Sequence, residues 1–104
     1  MTHQATKVSI VTEKLNEDQI EQIIVDAGAT GYSVFEGSGK GGHRIKAGGR
    51  ASVVGDFSLV KIEVIVADRA TADAIVDRVA ATYFKNYSGI VYMEAVEILR
   101  IEKF

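Results

Sequence analysis

The stretch "FSLVKIEVIVA", Phe57 to Ala67, sets the frame for the chain. Val60, Ile62, Val64 and Val66 recur at strand period and make one uniformly apolar face, rich in β-branched residues. The other face reads Phe57, Leu59, Lys61, Glu63 and Ile65, apolar residues mixed with charge. One face is built for a core. The other is only partly built for water.

Working outward, "KVSIVTEK" (7–14) also alternates, with Val8 and Ile10 on one side and Ser9, Val11 and Glu13 on the other. "NEDQIEQIIVDAGATG" follows. Asn16 is placed to cap a helix, with Glu17 and Asp18 in its first turn. Ile20, Ile23, Ile24 and Ala27 form its apolar stripe, and Gly28 is a natural stop. "GYSVFEG" (31–37) predicts a second strand. Beyond the opening stretch, "TADAIVDRVAATYFKNY" (71–87) predicts a second helix, capped by Asp68 or Thr71, with Ala72, Ile75, Val76, Val79, Ala80 and Tyr83 inward. "YSGIVYMEAVEILRIEKF" supplies a glycine turn and a strand over 90–100.

The order β-α-β-β-α-β is that of an α+β, ferredoxin-like sandwich: an antiparallel sheet with both helices on one face. A length of 104 residues makes this one domain, 1–104. The mixed outer face, with Val11, Phe57, Leu59 and Ile65, is a liability in water and is expected to pack against sister subunits.

With no Cys, the chain has no disulfide, no thiolate chemistry and no cysteine-based zinc site. Two isolated His residues give no metal spacing. No apolar run spans a membrane and no signal peptide is visible, so a cytoplasmic protein is expected. The formal charge of −2 argues against generic nucleic-acid binding. RNA recognition motifs share the element order, but their glycine-aromatic signature is missing from strand three.

Roughly twenty residues separate strands two and three, where hairpins usually need 2–5. The heart of this connection, "EGSGKGGHRIKAGGR" (36–50), holds Lys40, Arg44, Lys46 and Arg50 without an acid after Glu36. The +4 from Gly37 to Gly55 leaves −6 for the rest of a chain whose total is −2. A cationic loop on an acidic body suggests an anionic ligand. Gly37-Ser-Gly39-Lys-Gly41-Gly42 matches G-x-G-x-x-G literally, but no helix follows and the chain is too short for a dinucleotide fold. Nor is Gly39-Lys40 a Walker A element, since Gly41 stands where Ser or Thr would hold magnesium. A glycine nest with basic neighbours survives, against the plainer reading of a solvated surface loop. His43 reads as a solvated residue, and His3, near the terminus, is set aside. No catalytic set emerges.

The phrases "VTEK", "DAGATGYSVFEGSGKGG", "KIEVIV", "ADRATADAIVDRVAATYF" and "NYSGIVYMEAVEIL" together resemble the PII-like signalling family over essentially the whole chain. "GYSV…GKG", "DRVA…YF" and "YSGIVY" resemble most the branch linked to inorganic-carbon acquisition, the SbtB-type and carboxysome-associated PII proteins. The resemblance implies a homotrimer with inward-facing sheets and three nucleotide clefts between subunits. It makes the long connection a T-loop that contacts a target. It implies AMP, ADP, ATP or cyclic AMP as effector, bicarbonate beside the nucleotide in some members, and no obligatory cofactor, metal or catalytic residue. It points to a bicarbonate transporter or carboxysome-related target, and so to a peripheral position at the inner membrane. Slow nucleotide hydrolysis is the alternative, with Glu13 or Glu63 the only evident bases.

By position, the resemblance places Ser33, Val34 and Phe35 at the T-loop base and Gly39, Lys40 and Gly41 near phosphate, with Arg44 and Lys46 adding charge. Ser88, Gly89, Ile90 and Val91 match the B-loop and strand that hold adenine. Glu63 matches the cleft floor, and Arg100 a basic residue reaching a neighbour's phosphate. The loop has no Tyr for uridylylation, and the end "RIEKF" lacks the Cys-bearing tail of some SbtB-type proteins.

Overall fold

The computed structural model of the chain describes residues 2–39, 57–85 and 89–99. Its elements are β1 (His3–Glu13), a 3₁₀ turn (Lys14–Asn16), α1 (Glu17–Asp26), β2 (Ser33–Gly39), β3 (Phe57–Val66), α2 (Arg69–Tyr83) and β4 (Gly89–Ile98). The sheet order is β2-β3-β1-β4, every neighbouring pair antiparallel. This is the predicted ferredoxin-like arrangement, with β2 and β4 as its edges.

The apolar face of β3 lies where its alternation put it. Val60, Ile62, Val64 and Val66 are buried with Val8 and Ile10 of β1 under Ile20, Ile23 and Ile24 of α1 and Ala72, Ile75, Val79 and Tyr83 of α2. Each fully buried aliphatic side chain contributes about 1.5–3 kcal/mol. Val76 packs at the rim, whereas Ala80, expected inward, is exposed.

Helix ends follow local chemistry. Gly28 has φ 99°, which closes α1: its N–H donates to the Val25 carbonyl and that of Ala29 to Ile24. This pair is a Schellman motif, and a side chain at such a left-handed position costs roughly 1–2 kcal/mol. Asp68, not Thr71, caps α2, accepting from the Ala70 N–H at 3.2 Å. The helix therefore begins two residues before the predicted 71 and ends at Tyr83, short of 87. Asn16 precedes α1 but makes no capping bond. Its buried amide donates to the Thr12 hydroxyl at 3.3 Å instead.

Strand ends also move for non-local reasons. β1 begins at His3 because β4 is long enough to pair with it, His3 opposite Ile98 and Ala5 opposite Val96. His3 thus belongs to the sheet rather than to a frayed terminus. β2 runs 33–39 rather than 31–37, since β3 pairs with it as far as Gly39 opposite Phe57. Among the described residues no helix is long and apolar enough to cross a membrane.

Candidate ligand-binding site

Two depressions on the outer face of β2 and β3 are formed by described residues. One, of about 310 Å³, is lined by Gly31, Tyr32, Ser33, Glu63 and Ile65. Ser33 pairs directly with Glu63, so a hydroxyl and a carboxylate face one space beside the apolar Ile65. Such a set suits a flat apolar ring bearing a hydrogen-bond donor. The other, of about 200 Å³, includes Phe35, Gly37, Ser38, Leu59 and Lys61. Here Lys61 Nζ sits 6.0 Å from the centre of the exposed Phe35 ring.

The remaining described candidates lie across the sheet. Cross-strand register runs Phe35, Lys61, Val11, Ile90 in one row and Val34, Ile62, Ile10, Val91 in the next. Ser33–Phe35 and Gly89–Val91 thus occupy opposite edges, three inter-strand spacings or about 14 Å apart. The structure brings together Ser33, Phe35 and Glu63 on one edge, and Gly89, Ile90 and Val91 on the other. Val34 and Val91 pack against the core, while Phe35 and Ile90 are exposed at 52% and 56%. Gly89 leaves no room for a side chain: a Cβ there would lie 2.8 Å from the Val11 carbonyl oxygen and 2.7 Å from Phe84 Cε1.

A ladder of alternating charge crosses the same face. Glu94 holds Lys7 at 3.1 Å, Lys7 lies 4.0 Å from Glu63, and Glu63 holds Lys61 at 3.0 Å. The hydrogen bond that Lys7 donates to Glu94 raises the Lys7 pKa above the ordinary lysine value, and the one that Lys61 donates to Glu63 does the same for Lys61. Ser9, wholly buried between Glu63 and Tyr92 in register, has no partner for its hydroxyl among the described residues. The sequence suggested a polar cluster of Glu13, Lys61 and Glu63. The ladder joins the latter two to Lys7 and Glu94, a connection of which strand period alone gave no hint.

The carboxylates of Glu17, Asp18 and Glu21 come within 4.8 Å of one another at the start of α1. Lys14 engages Glu17, and the Tyr32 hydroxyl donates to Glu21 at 3.1 Å. Negative charge is at home in a first helical turn, which accounts for Glu17 and Asp18, while Glu21 stands one turn on.

Lys40, Gly41, Arg44, Lys46, Ser88 and Arg100 lie outside the described residues, as does His43; for Gly39 only the backbone is described. Sequence reasoning missed Gly31, Tyr32 and Ile65 as lining residues. The signal for Gly31 and Tyr32 was present in "ATGYSV", directly before Ser33.

Comparison with known proteins agrees with the fold. The family model described as nitrogen regulatory protein P-II matches residues 5–103, and the chain belongs to that family of PII-like signalling proteins. A PII-like signalling protein of Thermus thermophilus is 30% identical, with 99% of this chain and 97% of that one covered and a TM-score of 0.78. The CPII protein of Thiomonas intermedia, solved bound to ADP and bicarbonate, is 22% identical with TM-score 0.81, covering 100% of this chain and 97% of its own. The B. subtilis GlnK–ATP complex shares the fold at 22% identity and TM-score 0.61, covering 89% and 83%.

Proposed function

We propose that this chain, one PII-like domain over 1–104, forms a homotrimer that senses adenine nucleotides in clefts between subunits. The observation that carries this reading is the split of the candidate residues. Ser33–Phe35 and Gly89–Val91 lie on opposite sheet edges, so a single cleft containing both needs two chains. The mixed outer face, with Phe35, Tyr92 and Ile90 exposed on it, supports its burial against sister subunits.

In each cleft the Ser33–Glu63 depression takes the base, with Glu63 accepting from the exocyclic amine of adenine. The Gly89–Val91 edge of the neighbour closes over it, with Ser88. Phosphates run toward Gly39, Lys40 and Gly41, where Arg44, Lys46 and a neighbour's Arg100 neutralise them. AMP, ADP, ATP and cyclic AMP differ in charge at that end. Each therefore interacts differently with the basic T-loop, which is what a sensor requires. Relatives solved with ADP, AMP and bicarbonate support an adenine nucleotide with bicarbonate beside it. The SbtB-like phrases favour control of bicarbonate uptake, through a membrane transporter or carboxysome-related target contacted by the T-loop from the cytoplasm.

Calorimetry with AMP, ADP, ATP and cyclic AMP, with and without bicarbonate, tests the reading. Binding to none of them below about 1 mM would overturn it. Incubation with ATP followed by chromatography separates a sensor, which returns the nucleotide unchanged, from a slow phosphohydrolase.

A further inference from the structure

Among the described residues β2 is an edge strand, paired with β3 alone. Its segment Ser33–Phe35 nevertheless carries candidate ligand contacts, whose placement must hold to within about 0.5 Å for a site to work. Val34 anchors the middle of the segment against the core. The two flanking positions are tied down from elsewhere, and both ties lead to the same part of the molecule.

On one flank, Glu36 accepts from Lys14 Nζ at 2.5 Å, and the same ammonium reaches Glu17, the first residue of α1, at 3.3 Å. On the other flank, the Tyr32 hydroxyl donates to Glu21, one turn further along α1. Lys14 and Glu21 themselves lie on neither sheet edge where the candidate contacts gather. We propose that Lys14 and Glu21 are positioning residues that clamp the ligand segment Ser33–Phe35 to the start of α1, gripping it through Glu36 and Tyr32. The inference rests on the nucleotide reading above. It adds that affinity is set partly by a helix that touches no ligand.

The two flanks explain why a single tether would not do. A strand held at one end can still pivot about Val34. Held at Tyr32 and Glu36 together, it keeps Ser33 opposite Glu63 and Phe35 opposite Lys61.

The test measures ADP affinity by calorimetry alongside melting temperature in Lys14→Met, Glu36→Gln, their double variant, Lys14→Arg and Tyr32→Phe. Exposed pairs are weak, so each single loss should reduce ADP affinity by about threefold to fivefold, with little change in melting temperature. The double variant should bind no worse than either single one, because both remove one tether. Lys14→Arg should bind as wild type does. Undiminished binding by Lys14→Met overturns the inference. So does an additive loss in the double variant, which would make Lys14 or Glu36 a direct contact, and so does a collapse of the fold. Failure of the wild-type protein to bind ADP, AMP, ATP or cyclic AMP overturns the nucleotide reading and the clamp with it.

Discussion

Gly89 approaches Val11 so closely that a Cβ on the glycine would sit 2.8 Å from the Val11 carbonyl oxygen. The contact leaves the backbone there no room for a side chain, although the site's adenine edge starts at that residue in the proposed reading.

Gly89→Ala should therefore destabilise the protein by about 1–3 kcal/mol, the usual cost of overpacking. Phe84 packs against the core, so its removal has a cost of its own; measured against Phe84→Ala alone, the cost of Gly89→Ala should shrink only in part, since the Val11 carbonyl is backbone and cannot be trimmed. Denaturant titration of the single and double variants checks both statements.

Gly31 presents the opposite case. A Cβ there would meet nothing within 4 Å, its φ is not in the left-handed region, and it lines the Ser33–Glu63 depression. Gly31→Val should fold with an unchanged melting temperature yet lose ADP affinity by about tenfold or more, roughly 1.4 kcal/mol or above. Parallel melting and calorimetry runs on the variant decide the point.

Glu21 carries a pH signature. Burial, and then its neighbour Glu17, raise its pKa above the ordinary carboxyl value of 4.5. The folded state then holds this proton more tightly than the unfolded chain, so Glu21 lowers stability at neutral pH. That penalty disappears as pH falls below the unfolded value. Glu21→Gln should melt higher than wild type at about pH 7, the difference closing below about pH 4.5. A gap that stays constant across pH would contradict this cause.

Val11 lies mid-row between Lys61 and Ile90 on the outer face, intermediate in burial. In the trimeric reading this face meets its sisters. Val11→Asp should leave the circular dichroism spectrum native and reduce the sedimenting species to 11.2 kDa. A wild-type protein that already sediments at that mass would remove the basis for intersubunit clefts.

Much of this architecture was legible in the sequence because the core is written at regular periods. Ile20, Ile23 and Ile24 announce α1, and Val60 to Val66 announce β3, by spacing alone. His3 was missed because its strand exists only through β4, at the far end of the chain and invisible to any local window. The end of β2 was misplaced because "GSG" gives no side-chain alternation to read. Ser33 and Glu63 came from resemblance. Their adjacency came from register, which the long stretch of chain between them hides. The Lys14 and Tyr32 ties depend on how α1 sits over β2, a matter of packing that charge spacing does not encode.

The opposite-edge placement of Ser33–Phe35 and Gly89–Val91 reaches into genetics. In the proposed trimer, an allele damaged at one edge and an allele damaged at the other are each null when expressed alone. Expressed together, they co-assemble, and some clefts draw the sound edge from each chain. Two recessive lesions in one gene would then complement, and two lesions on the same edge would not.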